Sequence, residues 1–383
     1  FKYGILPNTL GAFSLTAENH GFKEERRLAI GSHQLILYQD QTQSNAAFYR
    51  GASGDFVAVL GSIMFEGRPS PDCLPTLLEQ YDHENFTWED LLGTHILLVK
   101  KGNALHICGD GLGASKIYAD ENNSVWSNSF LAMLEVVKPK TFDSQACYEY
   151  VSSGAVFGSR SLVKGISSPP INSVLTVDEQ GARLQQRPSP IKNEPIEQSS
   201  NLDAVAKHHV EQLEKVFEPI AHNFGDRIRL SFSGGFDSRL MLAKLLEHGA
   251  RPTLFVYGGS DDEDVRIARL ITEGEGLPLE HIDKSMVNPP DPEAFVEETE
   301  QNLYAFDGWK VETPLFDFGE DRRDRAKRHL DGQIPLNGSL GEIYRNFFYI
   351  PDRPSSTGAV VSTFYSRYDP KAFTNRFDEK RYR

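Results

Sequence analysis

Ser233-Gly234-Gly235-Phe236-Asp237-Ser238 is the segment of this chain best suited to chemistry. It follows a strand-like apolar run, IRLSF (228–232), and opens a helix-like run at 237–248 that Gly249 closes. Two glycines let backbone turn tightly and approach an anion, and the N–H groups at a helix start point toward it. Ser233 and Ser238 add hydroxyl donors. Asp237 would repel a phosphate, so a carboxylate here is best accounted for by Mg²⁺. The pattern lacks GxxxxGK[ST] and is not a Walker A loop. The plain alternative is a turn with glycine for geometry and Asp or Ser for capping. The strand–loop–helix context favours the phosphate reading.

Two further segments could complete such a site. Leu336-Asn337-Gly338-Ser339-Leu340-Gly341-Glu342 ends another expected strand, IPLNG (334–338). Glu342 there is either a second Mg²⁺ carboxylate or a helix-start acid stabilised by the dipole; beside the first loop, the metal reading is preferred. Phe255-Val256-Tyr257-Gly258-Gly259 is either packed core or a strand end whose backbone meets an adenine edge, walled by Val256 and Tyr257. Asp261–Asp264 reads as a solvated helix cap. Arg322, Arg323, Arg325, Lys327 and Arg328, interleaved with Asp321 and Asp324, read as a solvated helix face, with contact to an acidic substrate or partner as the other option.

The elements that must position these residues divide the chain. Residues 1–185 are rich in short apolar runs between Gly, Asn and Asp turns, with helical spacing at 73–81 and 143–152, which predicts a sandwich with a few helices. Residues 186–200 are rich in Pro, Gln and Ser. From 201 the period becomes helical (Leu202, Val205, Val210, Leu213, Val216, Phe217), then strands at 228–232, 253–259, 279–283 and 334–338 alternate with helices. That alternation predicts a parallel, doubly wound sheet, whose ligands bind beyond the carboxyl ends of its strands.

Composition narrows the function. With 54 acidic against 40 basic residues, the formal charge is −14. That balance argues against nucleic acid or an anionic membrane as partner. No apolar run approaches ~18 residues, so no membrane-spanning helix is expected. The start, FKYGILPNTL, has no signal-peptide pattern, and Cys73, Cys108 and Cys147 form no CxxC pair. A cytoplasmic location is the resulting expectation. The 11 histidines form no HExxH or H-x₃-H pair, and no G-x-S-x-G elbow occurs.

Ser233–Ser238 resembles the pyrophosphate loop of ATP pyrophosphatases. Taken in order with Phe255–Gly259 and Leu336–Glu342, it is similar to the synthetase domain of the asparagine synthetase family. YAFDGWKVETPLFDFG (304–319) resembles that family's next stretch, with Asp307 in the place of a recurrent acid. Upstream, DGLGASKIYADENNSVWSNSFLAML (110–134) and residues 149–181 resemble its glutaminase-like domain. The resemblance implies an α+β Ntn-like sandwich over 1–190, a linker at 191–200, and an α/β doubly wound, ATP-pyrophosphatase-type synthetase domain over 201–383. It implies ATP and Mg²⁺ as cofactors. Ser233, Gly234, Gly235, Phe236 and Ser238 would lie at the pyrophosphate, Val256, Tyr257 and Gly338 at the AMP moiety, and Asp237 and Glu342 at the metal. The implied reaction is adenylation of a small-molecule or peptide carboxylate, then attack by an amine to form an amide. A homo-oligomer is allowed.

Departures from the family shape the expectation. Glutaminases of this family begin with a catalytic Cys, whereas this chain begins Phe1-Lys2-Tyr3-Gly4. The family's N-G-E-I-Y appears as Leu60-Gly61-Ser62-Ile63-Met64-Phe65, without the Asn and Glu that grip glutamine. A degenerate first domain without glutamine hydrolysis is therefore expected. Ser339 stands where asparagine synthetases tend to have Glu and β-lactam synthetases Tyr. Lost glutaminase function is shared with β-lactam synthetases and lasso peptide cyclases, so an intramolecular peptide cyclase or β-lactam-type synthetase is the alternative within the class. The family's later helices, with a catalytic Lys, are expected beyond Arg383. A non-catalytic nucleotide- or partner-binding relative is the alternative of another class.

Overall fold

The computed structural model describes residues 7–40, 47–86, 91–187, 201–283, 291–309, 320–328, 330–339, 341 and 353–364. Glu342, the 191–200 linker and everything past 364 lie outside them. The described residues form a mixed α/β protein with four antiparallel sheets and one parallel sheet. Two compact units divide the chain: Phe1–Lys192 with Tyr304–Glu312 and Arg353–Arg383, and Asn193–Leu303 with Thr313–Asp352. The described residues 304–309 and 353–364 cluster with the first unit.

In the first unit, helix α1 (Pro7–Asn19) precedes a hairpin of β1 (Phe22–Ile30) and β2 (His33–Asp40). The sequence reading missed α1. Its buried positions, Phe13 and Ala17, are four apart, but Gly11 and several Ser and Thr residues dilute the helical signal. Next come β3 (Ala47–Arg50), β4 (Phe56–Gly61), β5 (Met64–Phe65), β6 (Arg68–Pro69), α2 (Leu74–Gln80), β7 (Leu91–Leu92), β8 (His95–Lys101) and β9 (Ala104–Gly109). After them lie β10 (Tyr118–Asp120), β11 (Trp126–Ser127), α3 (Phe130–Met133), α4 (Ser144–Ser153), β12 (Ile166–Ser167), β13 (Ser173–Asp178) and β14 (Gly181–Gln186).

The main sheet has the order β14-β13-β9-β8-β4-β3, all antiparallel. Alternation splits its side chains between two cores. Val57, Val59, Leu97 and Val99 face Leu74, Leu77 and Leu78 of α2. Phe56, Ala58, Ile96 and Leu98 face Ile30 and Leu37 of the β1–β2 hairpin. With both faces covered, the strands read as continuous apolar runs instead of half-polar ones.

The second unit opens with α5 (Leu202–Phe224). Then follow β15 (Ile228–Ser231), α6 (Phe236–Glu247), β16 (Thr253–Tyr257), α7 (Glu263–Glu275) and β17 (Leu279–Ile282). Helix α8 (Pro292–Ala305) leads on in sequence; α9 (Glu320–Arg328) and β18 (Ile334–Leu336) complete this unit's described elements. The sheet is parallel throughout, in the order β17-β16-β15-β18. Ile228, Leu230, Phe232 and Leu254 are fully buried between helices, each contributing about 1.5–3 kcal/mol by leaving water. β15 connects to β16 on one side and β18 returns on its other side, so the strand order reverses between β15 and β18. In parallel sheets a ligand crevice opens at that reversal. No described helix is long and apolar enough to cross a membrane.

Candidate functional site

The Ser233–Ser238 loop leaves the carboxyl end of β15, and the Asn337–Gly341 turn leaves the carboxyl end of β18. The two strands pair in parallel, with Ile228 opposite Ile334 and Leu230 opposite Leu336. Their trailing loops are thereby brought together. A Cβ added to Gly338 would stand 3.1 Å from Asp237 Cβ and from the Ser238 nitrogen. One added to Gly341 would stand 2.4 Å from Asp237 Cγ and 2.6 and 2.8 Å from its carboxylate oxygens. The turn thus seats directly on the first turn of α6, and only glycine fits against the Asp237 carboxylate.

Inside the first loop, residue types follow local geometry. Gly234 adopts φ +70°, the left-handed region, and a Cβ there would meet Ile267 of α7 at 2.6 Å. Gly235 is the N-cap of α6 and supplies no side-chain cap. The first N–H groups of a helix have no intrahelical acceptor, so this end is open to an acceptor from outside. Ser233 and Gly235 are exposed. Ser238 is buried, and its hydroxyl donates to the Gly235 carbonyl at 3.1 Å, a contact that fixes the loop. Phe236 is 72% exposed, with the Arg239 guanidinium 4.7 Å from its ring centroid. α6 is held from behind by Lys244, which pairs with Glu214 of α5 and with Glu247.

The neighbouring strand end is arranged differently. Val256 is buried in the core with Val265 and Ala268 of α7, so its side chain is packing. Tyr257 is half-buried, and its hydroxyl donates to Asp324 Oδ2 at 2.9 Å. Arg328 lies over the Phe255 ring at 4.3 Å and the Tyr257 ring at 5.5 Å, with Asp324 Oδ2 3.8 Å away. The basic run of α9 is therefore not a uniformly solvated face. Asp324 is buried, Arg328 is half-buried, and Arg322 bonds to Gln301 and Glu298. The sequence reading missed this role; the Asp324–Arg328 spacing of four was the available signal. Asp262 accepts from the Gly259 nitrogen at 2.7 Å and so shapes the turn after β16.

Asp307 sits in the first unit, where it accepts from Ser129 Oγ (2.7 Å), the Phe130 nitrogen (2.5 Å) and the Leu131 nitrogen (3.2 Å). Burial pushes its carboxyl up, against those hydrogen bonds. Its visible work is to cap α3. Among the described residues no cluster of three or more His, Cys, Asp or Glu is arranged for a metal. Asp237 is the described carboxylate at the loop junction, and Glu342 lies outside the described residues.

No family model matches the sequence, and no curated protein matches it. Among solved structures the chain is similar to the glutamine phosphoribosylpyrophosphate amidotransferase of B. subtilis complexed with ADP and GMP. That likeness has 12% identity and a TM-score of 0.23, covering 66% of this chain and 52% of that one. This chain spans about half the length of that protein. So loose a superposition assigns neither family nor activity.

Proposed function

We propose that the protein is an ATP- and Mg²⁺-dependent ligase of the asparagine synthetase type, which adenylates a carboxylate for attack by an amine. The observation that carries this reading is the convergence of Ser233–Ser238 and Gly338–Gly341 at the strand-order reversal of a parallel sheet. In this reading the uncapped start of α6 receives the phosphates, with Gly234 and Gly235 giving close backbone approach. Asp237, on which Gly341 rests, would hold Mg²⁺, with Glu342 as its second carboxylate. A bound magnesium ion would neutralise phosphate charge and improve pyrophosphate as leaving group. The second unit is then an ATP-pyrophosphatase-type synthetase domain, and the first a degenerate Ntn-type, glutaminase-like sandwich.

Glutamine hydrolysis is not part of this reading. Burial raises the thiols of Cys73 to about 11 and Cys108 to about 12, so both stay protonated and inert at neutral pH. Burial also raises Cys147. The amine is then supplied free or by the substrate itself, as in an intramolecular cyclase.

Calorimetry with ATP and Mg²⁺, followed by ATP–pyrophosphate exchange in the presence of candidate carboxylates, tests the proposal. Wild-type protein should bind Mg·ATP and exchange pyrophosphate. Asp237→Ala should lose the Mg²⁺-dependent part of binding, about tenfold or more. Binding without exchange by the full-length protein would favour a non-catalytic nucleotide-binding relative. No binding at all would sink both readings.

A further inference from the structure

Phe236 and Arg239 form a pair at the start of α6 that core packing does not explain. Both are exposed, although Phe236 is a large apolar side chain. Three residues apart on a helix, they share one face. Helical side chains lean toward the N-terminus, so the Arg239 chain folds back over the first turn. There its guanidinium stands 4.7 Å from the Phe236 ring centroid, and Nε donates to the Gly235 carbonyl at 3.4 Å. That carbonyl also accepts from the Arg239 nitrogen and the Ser238 hydroxyl, both at 3.1 Å. Among the described residues Arg239 has no ion pair, and its Nη1 and Nη2 make no hydrogen bond. By contrast Arg229, Lys244, Arg322 and Arg328 of the same unit each face a carboxylate.

Held this way, the guanidinium presents its two terminal nitrogens beside the Ser233–Ser238 loop. A planar fork of N–H donors matches two oxygens of one phosphate group. The ring contact and the Nε bond set the fork before any ligand arrives, so less side-chain freedom is lost on binding. We infer that Arg239 binds the pyrophosphate portion of ATP and that the exposed Phe236 ring is the platform that aims it. The inference rests on the ATP reading and deepens it. When the substrate carboxylate bonds to the α-phosphorus, the α–β bridging bond breaks and its electron pair leaves on pyrophosphate, where the Arg239 charge receives it. Phe236 then acts through Arg239 and is a positioning residue.

Calorimetry on the full-length chain with Mg²⁺ and, in turn, ATP, inorganic pyrophosphate and AMP tests this. Arg239→Gln should weaken ATP and pyrophosphate about tenfold, with AMP affinity and melting temperature unchanged. Arg239→Lys, which keeps the charge and loses the fork, should recover part of that loss. Phe236→Leu should weaken pyrophosphate by a smaller factor, and the double variant Phe236→Leu/Arg239→Gln should bind no worse than Arg239→Gln alone. Pyrophosphate affinity unchanged in Arg239→Gln, or AMP affinity lost in the same proportion, would overturn the role of Arg239. A Phe236→Leu loss that persists in full beside Arg239→Gln would overturn the platform. Wild-type protein that binds none of the three ligands would instead sink the ATP reading, and this inference with it.

Discussion

Asp237 and Gly341 carry the tightest chemical constraint in the second unit. No Cβ fits at Gly341 without displacing the Asp237 carboxylate, since it would approach Cγ to 2.4 Å. Gly341→Ala should therefore weaken Mg·ATP binding by about tenfold or more, roughly 1.4 kcal/mol, while leaving circular dichroism unchanged. Calorimetry on the variant checks it, and wild-type affinity would refute the role given to this contact. Gly234 is constrained by its backbone angle and by Ile267, so its identity serves the loop's shape before any ligand. The glycine and carboxylate types were legible in the sequence. That Gly341 rests on Asp237 was not, because about a hundred residues separate them in the chain.

At the scale of elements, the second unit's parallel sheet does the positioning. β15 is central and buried, and Leu230 is fully enclosed between β16 and β18. Leu230→Ala should cost about 2–5 kcal/mol of stability, measured by denaturant unfolding. A cost under 1 kcal/mol would mean that β15 is not the centre of this core. The strands were readable as apolar runs bounded by turns, and the helices between them by their period. Two ends differed. The expected strands at 253–259 and 334–338 stop at Tyr257 and Leu336, where Gly258 (φ +141°) and Asn337 begin turns. The first half of α5 is amphipathic in sequence, yet Leu202 and Val210 are exposed, and packing starts near Leu213.

For the whole molecule, chain order and spatial grouping diverge. Residues 304–309 belong to the first unit through Asp307 on α3 and through Trp309, which packs on Phe130 and Tyr150. Global stability should also depend on pH through His106 on β9. Burial, with His83 and Arg187 nearby, lowers its pKa to about 4. The unfolded chain takes up that proton near ~6.5, so the folded state loses stability as pH falls from about 6.5 to about 4. At 1.36 kcal/mol per unit the loss is at most about 3 kcal/mol. His106→Gln should flatten that part of the stability–pH curve relative to wild type; parallel curves would show that His106 does not titrate in this way.

The sequence by itself determined the local grammar: where strands and helices alternate, that a glycine turn joins β15 to α6, and that a carboxylate stands in that turn. These are properties of neighbouring residues, fixed by backbone sterics and hydrophobic period. Only the tertiary structure decided which distant groups meet. It set Gly341 on Asp237, Arg328 on Tyr257 and Asp307 under α3. The physical reason is that such contacts depend on strand register and packing across the sheet, which no local pattern encodes.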